Sequence, residues 1–385
     1  MTTKKWEPVD PIMLQDPMSV YAELRSQCPV ARTDFMGGMW GIFKYEDIVQ
    51  AARDTKSFAN GAHPRYPQLP RVPLESDPPR HAPYRRLLQP FFAPQRMKEL
   101  EPTARRIATE LLEPLLDQGT VDIAEAMTYR MPVKVICALL HLPDEDWEKL
   151  NHWSEEVFIS WGKDPERAKA AKNALTEYCK RLIEQRRQVP LPPGTDITSD
   201  LLAAQIDGQP LDEGVIIGAL HLLMTAGHDS TTSSIGIIIN YLARHLEVQT
   251  MLREQPELIP NAAEEILRLE TPVQMMTRTV VQDTEISGQT LKKGDRVFLV
   301  WASGNRDEKV FENPDQFDPT RNPNQHLVFG HGIHKCLGAP LARLEIRVAI
   351  EELLSRTSRI VPAGEVIRTG APRFGVGSLP VRLEV

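Results

Sequence analysis

The chain has 385 residues, 41% hydrophobic and 25% charged, a balance that suits one large or two ordinary soluble globular domains. A net charge of −7 argues against nucleic acid as the main partner. No apolar run reaches the roughly 18 residues of a membrane span. Four scattered cysteines (Cys28, Cys137, Cys179 and Cys336) have no framework spacing and fit a reduced compartment. The polar opening stretch has no signal-peptide core, so a cytoplasmic protein is expected.

In chain order, residues 18–27 read as a helix, Gly37-Gly38 as a hairpin turn before a strand at 39–43, and 45–53 as a second helix. Residues 57–80 hold six prolines and little apolar period, the pattern of a long ordered loop of functional use. Helical spacing follows at 84–89, 96–117, 127–140, 144–161 and 165–188, with a short connector at 190–194 and helices resuming at Ser199. A helix of about 33 residues is predicted over 212–245, roughly 50 Å long and able to cross the whole molecule. A further helix covers 256–269, and strand signals sit at 278–281, 296–301 and 379–385. The expected fold is mainly α: one domain over residues 1–385 with a long central helix and small peripheral β-sheets.

Two stretches carry chemistry. In the long helix, apolar ends flank Ala226-Gly227-His228-Asp229-Ser230-Thr231-Thr232-Ser233-Ser234. Consecutive polar residues in a buried helix cost stability unless paired, and Ser and Thr can bond back to the preceding turn and loosen it. Gly227 removes a side chain where something must approach. An acid beside a hydroxyl can relay protons; a kinked helix with a solvated patch is the alternative. Near the C-terminal end, Phe329-Gly330-His331-Gly332-Ile333-His334-Lys335-Cys336-Leu337-Gly338 precedes an apolar helix that starts at Ala339, with Pro340 suited to its first turn. Glycines let main-chain N–H groups close around one sulfur, and the helix N-terminus favours a thiolate. Such a sulfur is a nucleophile or a metal ligand. Zinc needs more ligands nearby than this stretch offers, whereas haem iron needs one axial thiolate.

The ten-residue string resembles the haem-binding signature of the cytochrome P-450 family, with every fixed position present. The resemblance runs from Pro17 to the C-terminus. It implies a haem-thiolate monooxygenase holding haem b, with Cys336 as the iron ligand and Phe329 and Gly330 in the loop around it. The segment from Ala226 looks like the family's Ala-Gly-x-acid-Thr element. That gives Ala226 and Gly227 a place beside the haem, and Asp229 with Ser230 or Thr231 the proton-relay role. Ser230 stands where the family most often has Thr, and either hydroxyl can serve. His81 and Arg85, Arg278, and His334 match the family's propionate partners. Glu265 and Arg268 resemble its Glu-x-x-Arg element, packed against the segment Phe317-Asp318-Pro319-Thr320-Arg321.

By the same likeness, substrate contacts fall in loop 60–76 (with Arg65 and Arg71), near Leu222 to Ala226, at Val273-Gln274-Met275-Met276 and at Phe374-Gly375-Val376-Gly377. The substrate is expected to be a small, mostly apolar molecule and the oxidant O2. The chain has no flavin or iron–sulfur motif, so electrons are expected from a separate ferredoxin or flavodoxin. Lys335, Arg343, Arg347, Arg80 and Arg86 are expected to form its docking patch. Membrane and nucleic-acid partners are not expected. A peroxide-driven haem-thiolate enzyme, a haem sensor or carrier, and a helical binding protein without haem are the rivals. Asp229 disfavours the first of them.

Overall fold

In the computed structural model, which describes residues 6–61, 70–159, 164–370 and 374–385, the long helix spans Glu213–Arg244. Its 32 residues make it about 48 Å long. Asp212 starts it: the carboxylate accepts the Gly214 N–H at 2.7 Å. Glu213 in the first turn and Arg244 in the last complement the helix dipole. Most of its side chains from Ile216 to Ala243 are buried, as a helix packed on all sides requires. The helices Arg130–Leu139, Trp147–Ile159, Pro165–Gln188, Ile259–Leu269 and Ala339–Arg356 surround it. Helix Pro94–Leu116 lies along Ala339–Arg356, and Arg105 ties the two together through Glu351 at 2.6 Å.

The sheets sit at the margins. The largest has five strands in the order Val30–Thr33, Met39–Ile42, Arg296–Leu299, Met276–Val280 and Phe58–Ala59. Its pairings are antiparallel except that between Met39–Ile42 and Arg296–Leu299. Gly37 and Gly38, with φ of 84° and 99°, make the turn into Met39–Ile42, a conformation glycine adopts without strain. Edge-on contacts of Trp6 with Tyr21, Phe43 and Phe298 close the outer face of this sheet. A three-stranded sheet joins Arg359–Pro362, Pro380–Glu384 and Thr120–Asp122.

Several boundaries differ from the sequence reading for identifiable reasons. The strand expected over 296–301 ends at Leu299, because Trp301–Gly304 turns helical and Ser303 donates its hydroxyl to the Phe43 carbonyl at 2.8 Å. The helix expected at 84–89 begins at His81. The one expected at 127–140 opens as a π-turn, Ala124–Thr128, before becoming α-helical at Arg130–Leu139. Asp196 caps Ile197–Ala203, taking the Ser199 N–H at 2.8 Å, so that helix starts two residues before Ser199. The C-terminal part of the helix expected over 144–161 lies outside the described residues.

Candidate active site

The cysteine loop is built by two glycines and one main-chain bond. Gly330 and Gly332 have φ of 67° and 74°. A side chain at Gly332 would also run into the Ala52 carbonyl. The Cys336 N–H donates to the Phe329 carbonyl at 2.8 Å, which closes the loop. The N–H groups of Gly338 and Ala339, at the start of helix Ala339–Arg356, point at the Cys336 sulfur. Cys336 is exposed although it lies deep within the fold, so its surface is that of an internal hollow. Burial pushes the thiol pKa up. The Gly338 and Ala339 N–H groups and the charges of Arg85 and Arg343 act the other way, but burial prevails. The expected pull of the helix N-terminus towards a thiolate is present, and burial opposes it.

The long helix opens to the interior at one stripe. Leu222, Gly227 and Ser230 are half-buried and Ala226 is exposed, although the residues around them are buried. Positions 222, 226 and 230 share a face. Ser230 Oγ donates to the Ala226 carbonyl at 3.3 Å, and Thr231 Oγ1 to the Gly227 carbonyl at 3.3 Å. Of the two hydroxyls Ser230 is on the open stripe, whereas Thr231 is 2% exposed and turned into the protein. Gly227 does make room, but for protein: a Cβ there would lie 2.6 Å from Ile136 Cδ1. Asp229 is buried, with Oδ2 accepting from Ser154 Oγ at 3.3 Å and Oδ1 3.7 Å from His228 Nε2.

The four predicted basic residues come together. The rings of His81 and His334 meet edge-on at 4.6 Å, and both Nε2 atoms are buried without a hydrogen-bond partner. Arg85 Nη1 donates to the Ile333 carbonyl at 3.1 Å. Arg278 Nη1 donates to Asn60 Oδ1 at 2.8 Å, and Asn60 Nδ2 lies 3.4 Å from His334 Nδ1. Among the described residues neither Arg85 nor Arg278 forms an ion pair. Asp77 stands 3.8 Å from His334 Nε2 and accepts the N–H groups of Asn60 and Gly61 at 2.9 and 2.8 Å. Burial, then His334 and Arg85, bring His81 down to about 4. Burial lowers Arg278 to about 10, with Asp77 opposing. Cationic donors thus outnumber carboxylates here, the composition of a pocket for a dianion. Sequence reasoning missed Asn60 and gave Asp77 no role. Neither carries a local signal, because their partners, Arg278 and His334, lie more than 200 positions away in the chain.

A buried ionic core supports the loop. Glu265 and Arg268 are fully buried and paired through both carboxylate oxygens at 2.7 and 2.8 Å. Glu265 also accepts from Arg321 Nε at 3.1 Å and Asn324 Nδ2 at 3.0 Å. The expected packing against 317–321 is therefore present.

A cytochrome P450 family model matches residues 133–385. The chain belongs to the cytochrome P450 family. It is 36% identical to "Cytochrome P450 109" of Bacillus spizizenii, over 95% of this chain and 92% of that protein. It is 33% identical to linalool 8-monooxygenase of Pseudomonas putida over 90% of each. The solved structure of the bacillaene polyketide synthase cytochrome P450 PksS from Bacillus subtilis superposes with a TM-score of 0.92 at 31% identity, covering 99% of this chain and 100% of that one. The chain is thus a cytochrome P450 enzyme, an oxidoreductase, and its cofactor is haem b. No helix among the described residues is long and apolar enough to cross a membrane.

Within this P450, two arginines of the expected docking patch are held in ion pairs. Arg343 is bound through two bonds to Glu264, at 3.0 and 2.8 Å, and lies 4.4 Å over the Phe329 ring. His326 bonds the same carboxylate at 2.8 Å. Arg347 pairs with Glu101 at 2.7 Å and Glu351 at 3.1 Å. Their charges are neutralised locally. Lys335, Arg80 and Arg86 are exposed and form no ion pair among the described residues. The substrate calls fare unevenly. Arg65 lies outside the described residues, and Arg71 is engaged by Glu75 at 2.9 Å. Met275 and Met276 pack against the clusters around the five-stranded sheet. The segment expected as a turn at 374–377 is instead a strand, Gly375–Ser378, paired with Ile367–Thr369, and it rests on the long helix: a Cβ on Gly375 would meet Ser233 Oγ at 2.7 Å. The Pro70 carbonyl presses on Gly218 of the same helix, leaving no room for a side chain.

Two buried histidines make the haem-free fold acid-sensitive. Burial is the main cause that brings His81 and His221 to about 4, from 6.5. Both are neutral in the fold, while the unfolded chain protonates them below about 6.5. Stability is complete above that pH and is lost as pH falls towards 4. Each histidine should contribute a slope of about 1.4 kcal/mol per pH unit in that window. Urea unfolding of His221→Asn should show a shallower slope between pH 6.5 and 5, and an unchanged slope would contradict this.

Proposed function

We propose that residues 1–385 form one cytoplasmic haem-thiolate monooxygenase domain that inserts one oxygen atom of O2 into a small, mostly apolar substrate. Cys336 would hold the haem iron through its sulfur, supported by the Gly338 and Ala339 N–H groups directed at that atom. His81, Arg85, Arg278 and His334 bind the propionates. The two imidazole nitrogens without a hydrogen-bond partner and the two guanidiniums that form no ion pair among the described residues suit this group. Phe329 and Gly330 would contact the haem from the cysteine loop, and Ala226, with Gly227 beside it, from the long helix. When bound, the haem iron supplies O2 binding and reductive O–O cleavage, which a thiolate ligand promotes.

The chain's own residues do the rest. Ser230 holds a hydroxyl on the open stripe of the long helix, and Asp229 sits behind it in the protein, able to pass protons forward. Thr231 returns its hydroxyl to the Gly227 carbonyl one turn back, which loosens the helix beside Ser230. Leu222 and the strand Gly375–Ser378 border the region where an apolar substrate is excluded from water. Relatives named for linalool and for 6-deoxyerythronolide B fit that substrate class. The single observation that carries the reading is the cysteine loop beside the cationic cluster, with Arg85 acting on both.

Electrons come from a separate ferredoxin or flavodoxin that docks on Lys335, Arg80 and Arg86. Arg86→Glu should slow reduction severalfold at low salt and leave substrate binding unchanged, as rim charges chiefly alter association. Stopped-flow reduction with a ferredoxin checks this, and unchanged rates would remove the patch. Turnover with a ferredoxin system, compared with hydrogen peroxide alone, tests the reaction class. Faster turnover with peroxide would favour a peroxygenase.

A further inference from the structure

Glu264 and Glu265 are neighbours in the helix Ile259–Leu269, and their carboxylates hold different parts of the cysteine loop's surroundings. Glu265 takes Arg268, Arg321 and Asn324, whereas Glu264 takes His326 and Arg343. His326 Nδ1 accepts the Val328 N–H at 3.3 Å, so Nε2 carries the hydrogen given to Glu264 and the ring is neutral. Burial pushes the Glu264 carboxyl up, but the bonds from His326 and Arg343 outweigh it and bring the group down to about 2. Glu264 and Arg343 are therefore one carboxylate matched with one guanidinium.

Arg343 reaches Cys336 in two ways. Its charge bears on the sulfur and favours the thiolate. Its guanidinium also lies 4.4 Å over the Phe329 ring, and the Phe329 carbonyl accepts the Cys336 N–H at 2.8 Å. A cation beside the sulfur draws electron density from it. Glu264, 2.8 Å from the guanidinium, supplies the opposite charge.

We propose that the Glu264–Arg343 pair sets the electron-donating strength of Cys336, with Glu264 cancelling the charge of Arg343 so that the bound haem keeps a low reduction potential. The inference rests on the assignment of Cys336 to the iron above. Both residues act through Cys336 and Phe329 and are positioning residues. Reduction adds one negative charge at the haem. Unmatched positive charge near the sulfur therefore favours the reduced state, and unmatched negative charge the oxidised one. Arg343 is 43% exposed, so solvent screens part of the effect. One unmatched charge should shift the oxidised–reduced equilibrium by about three- to tenfold, which is about 30–60 mV for one electron.

Dye-mediated redox titration of the haem-loaded, substrate-free protein tests this without a redox partner or turnover. Glu264→Gln should raise the potential by that amount, and Arg343→Gln should lower it. The double variant should return towards the parent value, whereas simple disturbance of the loop would make it the worst of the three. Arg343→Lys separates charge from stacking, because lysine keeps the first and loses the planar fork. It should stay near the parent, and a fall equal to that of Arg343→Gln overturns the proposal. Single variants that move in the same direction, or that both keep the parent potential, also overturn it. If Glu264→Gln fails to hold haem, the two variants of the exposed Arg343 decide alone: a fall with glutamine that lysine restores supports the pair's role, and any other pattern removes it. The reduced carbon-monoxide band of the parent is recorded alongside. Its absence removes the assignment of Cys336, whereas its presence with unsplit potentials removes only the role of the pair.

Discussion

Replacing Arg268 with alanine is expected to cost about 3–5 kcal/mol of stability, because it strands one side of a buried ionic network. The guanidinium is 0% exposed. Besides its two bonds to Glu265, it donates to the carbonyls of Asn305, Pro314 and Gln316 at 2.8, 2.6 and 3.2 Å. The Phe311 ring lies 5.0 Å from it. Alanine leaves three carbonyls without their donor and leaves Glu265 with Arg321 as its remaining cation. Those carbonyls belong to the segment that runs on to the cysteine loop, and Asn305 Oδ1 also accepts the Leu327 N–H at 2.5 Å. The variant should therefore lose haem at urea concentrations where the parent keeps it. Typical domains are stable by about 5–15 kcal/mol, so much of the protein should be unfolded or poorly expressed. Lysine cannot reproduce the planar fork and should rescue little. A loss below about 1 kcal/mol in urea melts, well short of the expected cost, would mean that the network is not what holds the loop.

Asp229→Asn should lower coupled turnover by about 10²-fold or more, the usual scale for a lost proton donor. Asparagine can still accept from Ser154, so the fold should persist. Substrate binding, read from the shift of the ferric spectrum, should not change. Product formation should slow and its solvent isotope effect should rise. Between the two hydroxyls, Ser230→Ala should do more harm than Thr231→Ala, because Ser230 is the one on the open stripe. Full activity of Asp229→Asn would remove the proton role.

The sequence made the main axis of this fold legible because its signals are local. The long helix shows an Asp212 cap, apolar ends and no proline, and it is found within one residue of the predicted limits. The Cys336 loop was readable because glycine, cysteine and a helix start are adjacent. What escaped depends on distant partners. Strands Val30–Thr33 and Thr120–Asp122 are short, and they gain their hydrogen bonds from segments far along the chain. The pairing of Arg343 with Glu264, across 79 positions, holds an exposed guanidinium over the Phe329 ring. His228 stood in plain view inside the polar run. Its ring is oriented by the Met224 carbonyl, a contact that residue type alone does not show.

The most direct test is the reduced carbon-monoxide spectrum of the purified, haem-loaded protein, compared with that of Cys336→Ala. A sulfur anion on the iron displaces the main absorption far to the red. The parent protein should show that band and the alanine variant should not, while both keep the haem through the cationic cluster. A parent without the band, or a variant that retains it, would contradict the assignment of Cys336 on which the site rests.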